Sequence, residues 1–122
     1  MAQMQLLVTV SAAAFRGRLE SSEDSLDLVD MPDFAVSELG VRGLSIPSSL
    51  LSGRDSTALE RIRDEADRAR CPTLLLYEET PFELGSPDAT VRAAACERIG
   101  RLARAASMLG CANLGIACSG AD

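Results

Sequence analysis

Three times along the chain, an apolar stripe at helical spacing gives way across a tight turn to a short aliphatic run. The last instance is the clearest. Val91, Ala95, Ile99, Leu102, Ala106 and Leu109 follow one another at steps of three or four, the spacing of one helix face. Ser86 is placed to cap the first free N–H groups, Pro87 suits the first helical position, and Asp88 suits the positive end of the dipole. Gly110 supplies the left-handed residue that ends such a helix. Leu114, Ile116 and Cys118 then form a run too apolar for a strand with one wet face, which predicts a helix laid against a parallel sheet.

The same wording occurs twice earlier. Gln5 to Val10 is the first predicted strand, followed by a polar connector from Ser11 to Ser25 that carries Arg16-Gly17-Arg18 and the acidic cluster Glu20 to Asp24. A helix is predicted from near Asp30, with Pro32 in its first turn, burying Met31, Phe34, Ala35 and Leu39 and stopping at Gly40. Gly43, Leu44, Ser45 and Ile46 make the second strand, closed by Pro47 and Ser48. After a loop from Ser49 to Ser56, Thr57-Ala58-Leu59-Glu60 matches a capping box, and the helix behind it buries Leu59, Ile62, Ala66 and Ala69. Pro72 forbids further helix, Thr73 to Tyr77 is the third strand, and Glu78 to Gly85 leads into the last helix.

Aligning Val41, Cys71 and Cys111 superposes Leu44, Leu74 and Leu114, and also Ile46, Leu76 and Ile116. The order β-α-β-α-β-α-β implies right-handed crossovers and an α/β fold with a parallel sheet. Two architectures accept it: half of a (β/α)8 TIM barrel, whose whole takes about 250 residues, or a small open doubly wound sheet. Four strands leave an open sheet short, and the sequence stops as a strand ends with no closing helix. The expectation is therefore one domain over residues 1–122, the N-terminal half of a barrel and a piece of a longer chain.

Composition narrows the function. Across 122 residues, only 3% are aromatic, so the core must be built from Leu, Val, Ile and Ala. A net charge of −6, with twelve Arg and no Lys, argues against nucleic acid or an anionic membrane as the main partner. No apolar run approaches membrane-spanning length, and no basic segment precedes Leu6-Leu7-Val8, so a cytoplasmic location is expected. Cys71, Cys96, Cys111 and Cys118 show neither CxxC pairing nor framework spacing. They read as reduced thiols, with Cys71 and Cys111 buried at equivalent points of two repeats.

Phe34-Ala35-Val36-Ser37-Glu38-Leu39-Gly40-Val41-Arg42-Gly43-Leu44 resembles the first helix and second strand of the xylose-isomerase-like TIM barrels. Arg92 to Ile116, with its Ala-rich helix, Leu109-Gly110-Cys111 and the strand after it, resembles the helix leading into that family's fourth strand. The resemblance implies a sugar phosphate isomerase or epimerase that moves a proton beside a sugar carbonyl, with a divalent metal polarising the oxygen. In that family the metal is held by Glu, Asp and His from later strands. This sequence has no His, so no ligand carries over: the expectation is no cofactor within this chain and a divalent metal only in a full-length protein.

Barrel chemistry lies at the C-terminal ends of strands. Those positions are Ser11, Ser48, Glu78 with Glu79, and Ser119, and substrate binding is assigned to Ser11, Glu78, Glu79 and Ser119; no catalytic residue is assigned. The carboxylate pair could bind sugar hydroxyls or a metal-bound water, with a solvated acidic loop before Pro81 as the plainer account. Arg16 and Arg18 are candidate phosphate partners, with two exposed loop arginines as the plainer account. The expected partner is a small sugar or sugar phosphate. A second reading is a non-catalytic half-barrel module that self-associates, as a homo-oligomer, or pairs with another half through sheet edges at Gln5 to Val10 and Asn113 to Cys118. A flavodoxin-like binding domain ranks third, for want of a phosphate loop.

Overall fold

The structure, a computed structural model, describes residues 8–20 and 26–120. The predicted first strand therefore lies partly, and the acidic cluster Glu20 to Asp24 mostly, outside the described residues. Four strands form one sheet in the order β1 (Val10–Ser11), β2 (Leu44–Pro47), β3 (Thr73–Tyr77), β5 (Leu114–Gly115), every neighbour parallel. A second sheet pairs β4 (Phe82–Gly85) with β6 (Cys118–Gly120), also parallel. The helices are α1 (Arg16–Leu19), α2 (Met31–Leu39), α3 (Ser56–Ala69) and α4 (Ala89–Met108). The fold is α/β with a parallel sheet, and in the larger sheet spatial order follows chain order without reversal.

The sheet's two faces are unequal. Leu44, Ile46 and Leu76 are fully buried, in one core with Met31 and Ala35 from α2, Leu59 and Ile62 from α3, and Ala106 and Leu109 from the end of α4. The helices lie side by side on that face, α2 against α3 and α3 against α4. Ser45, Leu75 and Tyr77 alternate with the buried set and are half-buried. Strands this short are specified by that alternation, since a slip of one residue would turn Ile46 and Leu76 out of the core.

Local chemistry sets the helix ends. α2 begins after a 3-10 turn (Leu28–Asp30), has Pro32 in its first turn, and ends at Gly40 with φ 65°. Its predicted core residue Leu39 is instead 41% exposed, and its neighbours Ser37, Glu38 and Gly40 are exposed with it. The capping box at Thr57 to Glu60 does not form: Asp55 is the N-cap, its carboxylate accepting the Ala58 N–H at 2.9 Å, which puts Thr57 inside the first turn. Asp55→Ala is expected to cost about 1 kcal/mol, read from the urea midpoint. α4 likewise starts later than predicted. Asp88 caps it through the Thr90 N–H at 2.8 Å, while Ser86 accepts the N–H of Asp88 at 3.2 Å.

The largest departure is the final strand. The run Leu114, Ile116, Cys118 is divided: β5 stays in the main sheet, and the chain crosses at Ile116 and Ala117 to join β4 as β6. Ile116 is 41% exposed and Cys118 is exposed, so the run is not buried on both faces. Residues 78–85, expected to be connector alone, supply β4. Its Phe82 is fully buried beneath α4, and its N–H donates to the Ala117 carbonyl at 2.8 Å.

Candidate functional site at the strand ends

The C-terminal ends of β1, β2 and β3 meet in a polar network. Ser11 closes β1 and shares a hydrogen bond with the Tyr77 hydroxyl at 2.8 Å. Strands pack about 4.8 Å apart, so this contact reaches over β2 from the third strand to the first on the half-buried face. Pro47 ends β2 and turns the chain into a 3-10 turn (Ser48–Leu51) that presents two hydroxyls. Ser48 donates to Glu78 Oε2 at 2.8 Å, and Ser49 donates to Glu79 Oε1 at 3.2 Å.

The two carboxylates follow β3 directly and go separate ways. Glu78 is 15% exposed, accepts the Thr80 N–H at Oε1 at 2.9 Å, and has Arg98 Nη2 at 3.5 Å from Oε2. Burial pushes its pKa up, but the Thr80 N–H, the Ser48 hydroxyl and Arg98 outweigh it and hold the carboxyl below its ordinary value. Glu79 is held low chiefly by a hydrogen bond from Arg16, whose Nη2 lies 2.7 Å from Oε1. The same pairing raises Arg16, whose Nη2 also donates to Ser49 at 3.3 Å while its Nε is enclosed with no partner among the described residues.

Of the residues assigned to substrate from sequence, Ser11, Glu78 and Glu79 are therefore brought to one end of the sheet. Ser119 is not. It lies on β6, lining with Thr80, Glu83 and Arg98 a separate cleft of about 520 Å³ between the small sheet and α4. The proposed phosphate partners are otherwise engaged: Arg16 on Glu79, and Arg18 with its guanidinium 5.3 Å from the centre of the Phe34 ring.

Sequence reasoning missed Arg98, Arg101 and Arg54. With Ser48, Ser49 and Ser52, they line a cleft of about 630 Å³ between the end of β2, the end of β3 and α4. The signal was the sequence Ser48-Ser49 with Ser52 and Arg54 just after a strand, together with Arg98 and Arg101 one helical turn apart. In an Arg-rich chain such spacing is unremarkable until the topology brings the two segments together.

A divalent ion fits these residues poorly. Among the described residues, no group of three or more His, Cys, Asp or Glu is placed to hold one. The adjacent carboxylates face different partners, and each already has an arginine beside it. Cys71 and Cys111 are buried as expected, and burial pushes the Cys71 thiol up, which makes it a poor nucleophile. Among the described residues no helix is long and apolar enough to cross a membrane.

Glu78→Gln tests the network. It is expected to cost about 1 kcal/mol at neutral pH, since an amide oxygen replaces a charge-assisted acceptor. A carboxyl whose folded pKa is lowered contributes stability above its unfolded value and loses it as pH falls through the folded value. Wild type should therefore shed stability on the acid side of the ordinary carboxylate range, and the glutamine variant should lack that part of the slope in thermal melts from about pH 7 to about pH 3.

The sequence matches no protein-family model, and no curated protein matches it.

Proposed function

We propose that this chain forms the first four strands of a (β/α)8 barrel resembling the sugar phosphate isomerases and epimerases, and that its strand-end loops help bind a small sugar phosphate. One observation carries the reading: three consecutive parallel strands deliver Ser11, Ser48 and the Glu78–Glu79 pair to one end of the sheet, joined by hydrogen bonds. Helices on one face and strands in chain order suit a barrel wall, because a doubly wound sheet reverses its order and carries helices on both faces. In this reading Glu78 and Glu79 stay ionised at neutral pH and accept hydrogen bonds from substrate hydroxyls through their remaining lone pairs. Residues from further strands would supply the proton-transferring base and any metal.

The test is solvent-deuterium uptake at the carbon beside the carbonyl, followed by NMR, in the protein as expressed from its gene, with Mg²⁺ or Mn²⁺ and a panel of aldose and ketose phosphates. Uptake with any of them supports the proposal. Absence of uptake across the whole panel overturns it.

The sheet edges favour a second reading. Neither β1 nor β5 has a further strand beside it among the described residues, and Val8 and Ile116 are exposed near the two edges. A non-catalytic module would use them to pair with a second copy. Sedimentation velocity decides this: a dimer forming with rising concentration favours pairing, and a monomer at all concentrations excludes it.

A further inference from the structure

We propose that the cleft between the Ser48–Leu51 turn and α4 is a binding site for a phosphate monoester dianion, with Arg101 as its principal ligand. This deepens the reading above and rests on it for the sugar part of the ligand alone. The chain carries a net charge of −6, yet three of its twelve arginines line this one cleft, beside three serine hydroxyls. Among the described residues Glu78 is the only carboxylate in the lining, and its oxygens are already served by Ser48, Thr80 and Arg98.

Each arginine is set differently. Arg54 is anchored by its Nε to the Leu50 carbonyl at 3.2 Å, with a loose contact from Nη1 to Asp27 at 3.4 Å. Arg98 is held with its guanidinium 4.2 Å from the centre of the Phe82 ring. Arg101 has no hydrogen bond or ion pair with any described residue. Two oriented guanidiniums and one uncommitted guanidinium, with the Ser52 hydroxyl as a further donor while Ser48 and Ser49 stay on the carboxylates, suit a tetrahedral anion, which takes several donors at once. The cleft, at about 630 Å³, has room beyond the phosphate, and Leu51, Leu102 and Ala105 give that space an apolar wall. The site differs from the sequence expectation, which looked to Arg16 and Arg18.

The experiment is a titration of the 122-residue chain with inorganic phosphate at constant ionic strength, followed by backbone amide NMR. Saturable shifts confined to residues 48–54 and 98–105 are expected. Arg101→Gln, a change at an exposed position, should weaken binding about tenfold, as for loss of one charge-assisted contact. Arg104→Gln, also exposed on α4 but outside the cleft, should leave it unchanged. Shifts spread over all arginines, equal effects of the two variants, or no saturable binding would overturn the proposal. Phosphate binding that survives a failure of deuterium uptake would sink the isomerase reading and leave the anion site standing.

Discussion

Leu76→Ala is expected to destabilise the protein by about 3 kcal/mol, within the range for large-to-small changes in a packed core. Leu76 lies in β3 between Ile46 of β2 and Leu114 of β5, and it is fully buried on the helix-covered face. The surrounding side chains come from a rigid sheet and from helices whose ends are fixed by caps, so the space left behind cannot close. At this chain length the loss corresponds to roughly 12 °C in Tm. The urea slope should stay constant while the midpoint falls. Leu75→Ala is the paired measurement. Leu75 is the next residue, half-buried on the opposite face, and its truncation should cost less than about 1.5 kcal/mol. Equal costs would mean that both faces are covered, and would remove the one-sidedness on which the half-barrel proposal leans.

That asymmetry shows what the sequence could and could not convey. The helix–turn–strand repeats were legible because periods of 3.6 and 2 are written into side-chain order: Leu59, Ile62 and Ala66 are all buried, and Leu59 and Ile62 share one core with Leu44, Ile46 and Leu76. Gly40 and Gly110 adopt the left-handed conformation that their place after a helix demanded. Cap positions were less legible, since Asp55, Ser56 and Thr57 are all competent and only the backbone's approach selects Asp55. The division of β5 from β6 was invisible, because an apolar run carries no mark for the point where it changes sheets. The site was half legible. Ser11, Glu78 and Glu79 follow from strand ends alone, whereas the Arg98–Arg101 side of the cleft depends on where α4 lies in space.

Phe82→Ala should give the second large effect, of a different kind. Phe82 is fully buried, but its surroundings are the small β4–β6 sheet and the first half of α4 rather than the main core. Truncating a buried phenylalanine costs about 3 kcal/mol or more, and here the loss falls on a two-stranded sheet with little else to hold it. The ring also carries the Arg98 guanidinium at 4.2 Å, worth about 1 kcal/mol at a partly exposed site. Hydrogen exchange should show lost protection at Phe82 and through residues 82–85 and 118–120, with little change at Ile46 and Leu76. Arg98 would lose its support beside Glu78 and Thr80, so phosphate affinity in the adjoining cleft should fall several-fold in the same variant. Phe82→Tyr keeps the ring face and should preserve the affinity, while Phe82→Leu fills the space without it and should restore protection but not binding. Uniform loss of protection across both sheets in Phe82→Ala would instead make the small sheet part of the main cooperative unit, and Arg98 would owe its place to the fold as a whole rather than to this one ring.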